Sequence, residues 1–465
     1  MTTTRHHGEL VPGEWRQEWA AALVAALALA IAAGFAIRVA VWPQPGLAGD
    51  LDQFVLWVHG IAVGGWGSAY DQNLSFPAVM AWLWGALALV QPAFAGVANA
   101  SDPGLLALMK LPASLADLGL ALGVALWFRD RPKVAVAAAA AVLLWPATWY
   151  ISAWWGQYEP IYVLPVLLAL LAARSERPGL AAALLAIGLM TKPQALPLAV
   201  PFAAWFLATG GWRGAVRAIA VAALVAVVAW LPFVAAGGPL NYLRNLSDYQ
   251  DAIFSVLSLR AWNPWWLLQE LGAGGGFVSD RTAIAGPITF RLLGLAAAGV
   301  MALVVFAGVY RRPSAANLAM GLAAVALGAF ITLTTMHERY AYPALVFLLL
   351  GWPRREAVIA WTAFAVAFAL DLVYSVPPPG LALPGLDVVS VAGSVVITAV
   401  AVAAIRWTWR GEMEGELDPG TAEALGAGTA LAGRAKPADD TAIETGGHHR
   451  PTATEAAPQD AEPAA

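Results

Sequence analysis

Residues Gly49–Pro77 read GDLDQFVLWVHGIAVGGWGSAYDQNLSFP and follow the first long apolar run of the chain. Two carboxylates, Asp50 and Asp52, come directly after a short proline-containing exit from that run. Apolar residues then recur at helical spacing, at Phe54, Trp57, Val58 and Ile61. This spacing predicts an amphipathic helix suited to a membrane interface. The two carboxylates either cap that helix and favour its first turn, or take part in chemistry at the membrane surface.

Composition places the chain in the membrane. It has 465 residues, of which 60% are hydrophobic and 12% are charged, and apolar runs of about 20 residues recur throughout. The fold class we predict is therefore all-α, a polytopic integral membrane protein. The first run, Trp19–Trp42, is too long for a cleaved signal and lacks a small-residue cleavage site. The absence of cysteine excludes disulfides, thiolate catalysis and cysteine-ligated metal.

The apolar pattern predicts about 12 transmembrane helices. A short apolar segment, Ala78–Ala100, is expected to be a half-inserted helix of the first loop. The stretch Gly179–Gly210 is expected to form two short spans separated by the MTKPQ motif, Met190–Gln194. The remaining predicted spans are Trp19–Trp42, Leu105–Phe128, Val134–Ser152, Ile161–Ala173, Gly214–Ala235, Ile288–Tyr310, Ala315–Thr335, Ala341–Gly351, Ala357–Tyr374 and Val388–Trp409.

This assignment gathers most basic loop residues on one side, whereas residues 45–100 contain no Lys or Arg. The positive-inside rule makes the basic side cytoplasmic and puts both termini there. The predicted organisation is an N-terminal segment (1–18), a transmembrane domain (19–410) with long external loops (43–104 and 236–287), and a tail (411–465). The tail holds 11 acidic and 3 basic residues and is rich in Ala, Gly and Pro, so we expect it to be disordered.

The polar residues near the outer ends of the spans form a pattern. Charges placed within spans cost roughly 2.5–3.5 kcal/mol each, so those that persist invite a functional interpretation. Four separate loops contribute to the set, as an active site at the outer membrane face would require. Its members are Asp50, Asp52, Gln157, Glu159, Lys192, His337, Glu338 and Arg339.

Four short motifs in order resemble the GT-C superfamily, integral-membrane glycosyltransferases that use polyprenyl-phosphate sugars. The sequence GDLDQFVLW resembles the first-loop motif, with Gly49, Asp50 and Trp57 matching the G-D-x6-W pattern. WWGQYE, MTKPQ and HERY resemble motifs of bacterial mannosyltransferases related to the second GPI mannosyltransferase. The chain departs from that family at Ser75-Phe76-Pro77, where Tyr-Pro-Pro is frequent, and at Glu159, where Asp is frequent.

The resemblance implies that Asp50 is the catalytic base, and Asp52 is the second candidate. Lys192, His337 and Arg339 are candidates for binding the donor phosphate. A purely structural role is the alternative for each of them. Arg339 would be a snorkelling side chain, His337 a helix cap, and Lys192 a charge held by Glu159 or Asp117. The expected substrate-binding residues are Trp57, Gln157, Glu159, Glu338 and Trp262, although Gln157 and Glu159 serve equally well to hold Lys192.

The predicted activity is an inverting mannosyl transfer from a polyprenyl-phosphate sugar to a glycolipid, polysaccharide or protein. The donor carries one phosphate, so no cofactor is obligatory and no divalent metal is expected. Membrane lipids are expected partners and nucleic acid is not. A lipid or sugar transporter or flippase is the main alternative, but it should show repeated halves with charged, broken helices near the midplane. A non-catalytic scaffold would leave the clustered Asp, Lys, His and Arg unexplained.

Overall fold

The computed structural model describes residues 12–252 and 255–413. Of the described residues, 77% are helical, which confirms an all-α polytopic membrane protein. Most of the predicted N-terminal segment (1–18) and nearly all of the predicted disordered tail (411–465) lie outside the described residues.

Sixteen α-helices form the described chain. The first eight are α1 (Pro12–Val41), α2 (Ala48–Gly64), α3 (Ala78–Val90), α4 (Pro103–Trp127), α5 (Pro132–Leu144), α6 (Pro146–Trp149), α7 (Glu159–Arg174) and α8 (Pro178–Leu189). The others are α9 (Ala199–Val234), α10 (Gly238–Ala252), α11 (Pro264–Ala273), α12 (Phe290–Arg311), α13 (Ala315–Thr332), α14 (Tyr342–Leu349), α15 (Arg355–Ser375) and α16 (Val388–Arg410). Short strands pair as β1 (Ser258–Leu259) with β4 (Met336–His337) and β2 (Ala283–Ala285) with β3 (Ile288–Thr289).

Among the described residues, seven helices are long and apolar enough to cross a membrane, or eight if the bent pair α5 and α6 forms one span. The count of about 12 is therefore not confirmed, because α7, α8 and α14 are shorter than a bilayer requires. The 36 residues of α9 exceed one bilayer crossing, and Gly211 breaks the helix with φ 59° and ψ −167°. This break lies between the two spans predicted for that stretch.

The predicted helix of the first loop is present as α2. Its apolar face is buried inside the protein: Trp57 is 1% exposed and Val58 is fully buried. Trp57 packs against Trp84 of α3, with ring centroids 5.1 Å apart, and against Phe76, at 5.7 Å. The expectation that this face lies in the membrane interface is therefore corrected, because α3 folds back over α2 and covers it.

A proline break shapes the segment that follows α5. The chain bends by 45° at Trp145–Pro146, and a π-helical turn, Tyr150–Trp155, then leads to Gly156. Gly156 has φ 86°, and a Cβ there would come within 2.7 Å of the Leu51 side chain. Only glycine fits this turn without strain, so the WWGQ motif folds tightly against the start of α2.

Two neighbouring elements, α13 and β1, fix the position of the segment that contains HERY. α13 is almost completely buried at the centre of the bundle, and the chain leaves it through β4. β4 pairs in parallel with β1, with Leu259 opposite His337, so the loop between α10 and α11 fixes this segment. A 3-10 turn over Glu338–Ala341 then leads into α14.

A buried ionic network ties the helices together below the cavity described next. Asp117 of α4 accepts hydrogen bonds from Arg38 of α1 at 2.8 Å, from Ser152 at 2.5 Å and from Tyr342 at 2.7 Å. All four side chains belong to residues that are fully buried. Lys110 is also buried and donates to backbone carbonyls, including that of Trp154 at 2.9 Å. These groups hold α1, α4, the π-helical turn and α14 in register.

Candidate active site

A cavity of about 1150 Å³ lies where the four predicted loops meet. One end is polar, and its lining includes Asp50 from α2, Gln157 from the turn before α7, Lys192 from the break after α8, and Arg339 from the segment before α14. Residues that are far apart in sequence thus share one surface. Of the predicted site residues, Trp57 and His337 also line this cavity.

Asp50 is held by donors from outside its own helix. Its Oδ2 atom accepts hydrogen bonds from Gln157 Nε2 at 2.6 Å and Trp155 Nε1 at 3.1 Å, and lies 3.9 Å from Arg339 Nη2. Helix α2 begins after Leu47, which gives no side-chain cap. The capping interpretation therefore does not describe Asp50, whose carboxylate faces the cavity and is 28% exposed.

The two cations of the polar end are supported from behind by carboxylates. Glu159 is fully buried and forms an ion pair with Lys192, whose side chain is 3% exposed. Arg339 lies 3.5 Å from Glu159 through Nε and 2.9 Å from Glu338 through Nη1. Neither Glu159 nor Glu338 lines the cavity, and both hold the cations from behind its wall.

Aromatic rings surround the same cations. The guanidinium carbon of Arg339 lies 4.8 Å from the ring centroid of Trp155. Lys192 Nζ lies 5.6 Å from the centroids of both Phe76 and Tyr340. Cations that are clamped between rings and carboxylates lose little further freedom when an anion binds to them.

Burial and charge set the protonation of this cluster. Burial lowers the pKa of Lys192, although the charge of Glu159 opposes that change. Burial and the charge of Arg339 lower the pKa of His337, which favours its neutral form. Burial alone would raise the pKa of Glu338, but the hydrogen bond to His337 and the charge of Arg339 lower it to about 2. The charge of Asp50 is the main cause that raises the pKa of Arg339 against the effect of burial.

Besides Glu159 and Glu338, two further predicted site residues do not line the cavity. Asp52 points away from Asp50 and accepts a hydrogen bond from the backbone N–H of Ala100 at 2.7 Å. Trp262 is 1% exposed and packs against Tyr374 and Trp266, with ring centroids 5.1 and 6.2 Å away. Asp52 thus braces the first loop, and Trp262 belongs to the packing of the outer helices.

The cavity also has walls that motif reasoning did not identify. The C-terminal half of α10 contributes Asn245, Ser247, Asp248, Tyr249 and Gln250. Gln194, the last residue of MTKPQ, donates to the Tyr340 hydroxyl at 2.8 Å. No sequence motif marks α10. Gln53 is another lining residue, and its helical spacing from Asp50 would have identified it.

Away from the polar end the cavity wall becomes apolar. The 3-10 segment Pro193–Leu198 and the helix α13 supply this wall. Leu196 is 69% exposed, so the apolar wall reaches the outer surface of the helices. Apolar residues of this wall include Leu196, Leu198, Ala326, Ala329, Phe330 and Leu333. A ligand with a charged head and a hydrocarbon chain fits this combination of surfaces.

Within the described residues, no group of three or more His, Asp or Glu side chains is arranged to hold a metal ion. The cavity thus places the carboxylate of Asp50 beside a cationic cluster.

The fold and this cavity define a polytopic helical membrane protein whose cavity joins a charged end to an apolar wall. The model of glycosyltransferase family 87 matches residues 104–336, about half of the sequence. The chain belongs to glycosyltransferase family 87, a family of the GT-C type, and is a membrane glycosyltransferase. No curated protein matches the chain. The matched region includes Gln157, Glu159 and Lys192, while Asp50 and Arg339 lie outside it.

Proposed function

We propose that the protein is an inverting mannosyltransferase that uses a polyprenyl-phosphate mannose donor at the extracytoplasmic face of the membrane. One observation carries this proposal. A single cavity has a cationic end, formed by Lys192 and Arg339, and an apolar wall that reaches the outer surface of the helices. A nucleotide-sugar donor would have no use for that apolar wall. The choice of mannose rests on the resemblance of WWGQYE, MTKPQ and HERY to the bacterial mannosyltransferases.

The reaction follows from the positions of the charges. The acceptor hydroxyl oxygen attacks the anomeric carbon of the donor and forms the new glycosidic bond, while the bond from that carbon to the phosphate oxygen breaks. Asp50 takes the hydroxyl proton, a form of catalysis typically worth ~10²–10⁴ in rate. Lys192 and Arg339 stabilise the charge that develops on the departing polyprenyl phosphate. Inversion places the acceptor hydroxyl and the departing phosphate on opposite faces of the anomeric carbon.

The acceptor is a glycolipid, a polysaccharide or a protein.

The side of the membrane on which the cavity opens is inferred from the basic residues. These lie in the loops at the opposite end of the bundle, since residues 45–100 carry no Lys or Arg. The basic end of the bundle is also packed together: Arg174 donates to the backbone of Trp127, and the guanidinium carbon of Arg311 lies 3.6 Å from the ring centroid of Trp409. This end corresponds to the cytoplasmic side, and the cavity opens at the other.

The test is a donor panel with purified protein in lipid nanodiscs. Radiolabelled polyprenyl-phosphate mannose, polyprenyl-phosphate glucose and GDP-mannose are supplied in parallel, and release of polyprenyl phosphate or GDP is measured. We expect turnover with polyprenyl-phosphate mannose, and its loss in Asp50→Asn. Turnover with the glucose donor alone would refute the sugar assignment. Use of GDP-mannose would refute the lipid-phosphate donor, and inactivity with every donor would refute the proposal.

A further inference from the structure

Two neutral side chains on the cavity wall have no part in the mechanism above. Asp50, Gln53 and Trp57 stand at positions i, i+3 and i+7 of α2, so one face of the helix presents all three to the cavity. Asn73, from the loop before α3, lines the same wall. An amide pair thus lies one helical turn from the proposed base.

The hydrogen bonds of Gln53 and Asn73 determine which end of each side-chain amide is the oxygen and which is the NH₂ group. Trp57 Nε1 donates to Asn73 Oδ1 at 2.8 Å, and Gln53 Nε2 donates to the same oxygen at 3.2 Å. An indole N–H can only donate, so the atom that it meets must be the oxygen of Asn73. The group of Gln53 that meets this oxygen must then be its NH₂. Within the described chain, the Asn73 NH₂ group and the Gln53 carbonyl oxygen have no hydrogen-bond partner and are available to a ligand.

The loop that carries Asn73 is braced on both sides. Asn245 of α10 donates to the backbone carbonyls of Gln72 and Leu74 at 2.6 and 3.1 Å. The Gln72 side chain donates to the backbone carbonyl of Trp57 at 3.2 Å. A side chain held in this way is organised before its ligand arrives, which reduces the entropic cost of binding.

We propose that Gln53 and Asn73 form the acceptor subsite and bind two neighbouring hydroxyl groups of a carbohydrate. The NH₂ group of Asn73 donates to one hydroxyl oxygen, and the carbonyl oxygen of Gln53 accepts from the next hydroxyl. This inference rests on the proposed function and selects among its acceptors, because a sugar carries adjacent hydroxyls and a Ser or Thr side chain carries one. The charge-neutral pair lies beside Asp50, where the attacking hydroxyl must be, and the aromatic residues Trp57 and Phe76 line the same cavity.

Two variants distinguish a role in binding the acceptor from a role in supporting the loop that carries Asn73. Asn73→Asp keeps the oxygen that accepts from Trp57 but replaces the NH₂ donor with a second acceptor. Gln53→Met keeps the length of the side chain and removes its carbonyl. Asn99→Asp is the matched control, because Asn99 is outside the cavity lining and bonds only to Ser101 among the described residues. Wild-type protein and the three variants are assayed in nanodiscs with radiolabelled polyprenyl-phosphate mannose and octyl α-mannoside. Octan-1-ol and a serine-containing peptide serve as probes that offer a single hydroxyl.

We expect wild-type protein and Asn99→Asp to prefer octyl α-mannoside to octan-1-ol. Asn73→Asp and Gln53→Met should raise the KM for octyl α-mannoside about tenfold each, and should shift donor use from transfer towards hydrolysis. An increase in the donor KM with an unchanged acceptor KM would overturn the inference and assign the pair to the donor sugar. A wild-type preference for a serine-containing peptide over octyl α-mannoside would also overturn it.

A binding measurement keeps the two proposals apart. Saturation-transfer NMR reports contact between octyl α-mannoside and the protein without any turnover. If no donor is used but this contact is present in wild-type protein and lost in Asn73→Asp, the proposed reaction fails and the carbohydrate subsite stands. Equal contact in both proteins would overturn the subsite whatever the activity.

Discussion

The spacing of Asp50 and Asp52 on α2 decides which of the two carboxylates faces the cavity. Residues two apart on a helix point in nearly opposite directions, so only one of them can face a given wall. Asp50 meets Gln157, and Asp52 meets the backbone of Ala100. The two acids therefore occupy separate places, one on the cavity wall and one in the support of the first loop.

Asp50→Asn tests the base. The variant keeps the shape of the side chain but cannot take a proton, so we expect kcat to fall by ~10²–10⁴ while the donor KM changes little. Asp52→Asn is the matched control and should stay close to wild type, because the Asn oxygen can still accept from Ala100. The measurement is mannosyl transfer at saturating donor. Full activity of Asp50→Asn would place the base elsewhere.

The titration of Glu338 should make the stability of the folded protein depend on pH. Its folded-state pKa, about 2, is below the ordinary value of 4.5, so its stabilising effect is present above pH 4.5 and is lost as the pH falls towards 2. A shift of this size corresponds to about 3 kcal/mol. We expect the thermal midpoint of the wild type to fall between pH 6 and pH 3, and that of Glu338→Gln to start lower and fall less.

The control for this titration is Glu356→Gln, which alters an exposed carboxylate at the start of α15. Its melting profile should follow that of the wild type. If Glu338→Gln also follows the wild type, Glu338 does not contribute to the acid sensitivity of the fold.

At the scale of the elements, the network around Asp117 couples the parts that carry the site. Ser152 lies in the π-helical turn that leads to Gln157, and Tyr342 lies three residues beyond Arg339. Both donate to Asp117, which is also paired with Arg38 at 2.8 Å. A shift of any of these helices would therefore move one side of the polar end relative to the other.

Removing one member of the buried pair should be costly. Arg38→Met leaves Asp117 with an uncompensated charge, so we expect a loss of about 3–5 kcal/mol in stability. The double variant Arg38→Met/Asp117→Leu should recover much of that loss, since both charges are gone. Thermal unfolding in detergent measures both, with Arg217→Met, an exposed arginine, as the control. A double variant no more stable than Arg38→Met would show that the pair is not energetically coupled.

Helical spacing and proline breaks were enough to predict several elements. α2 follows from the spacing of Phe54 and Trp57, and the interruption after α8 follows from Lys192-Pro193. The sequence could not show that the apolar face of α2 is covered by protein, because lipid and protein interiors favour the same side chains. It also could not place α10, whose position depends on Asn245 and carbonyl groups far away in the chain.

For the whole molecule, the outstanding prediction is its orientation in the membrane. The natural sequence has no cysteine, so single cysteines can be introduced without a background of reactive thiols. Gly67, Ala273 and Ala382 are exposed. Gly67 and Ala273 lie in the two long external loops predicted above, and Ala382 lies between the last two predicted spans, on the side that the same assignment places outside. Gly65 and Gly380 are avoided, because their φ angles of 79° and 85° would strain any other residue.

We expect Gly67→Cys, Ala273→Cys and Ala382→Cys to react with a membrane-impermeant maleimide in intact cells. Ser175→Cys is exposed between α7 and α8, beside Arg174 and Arg177, and should react only after the membrane is opened. If Ser175→Cys reacts in intact cells while the other three are protected, the protein is inverted and the cavity faces the cytoplasm. Opposite labelling of Gly67→Cys and Ala273→Cys would refute the common outer face, because the loops that hold these two sites meet at the cavity.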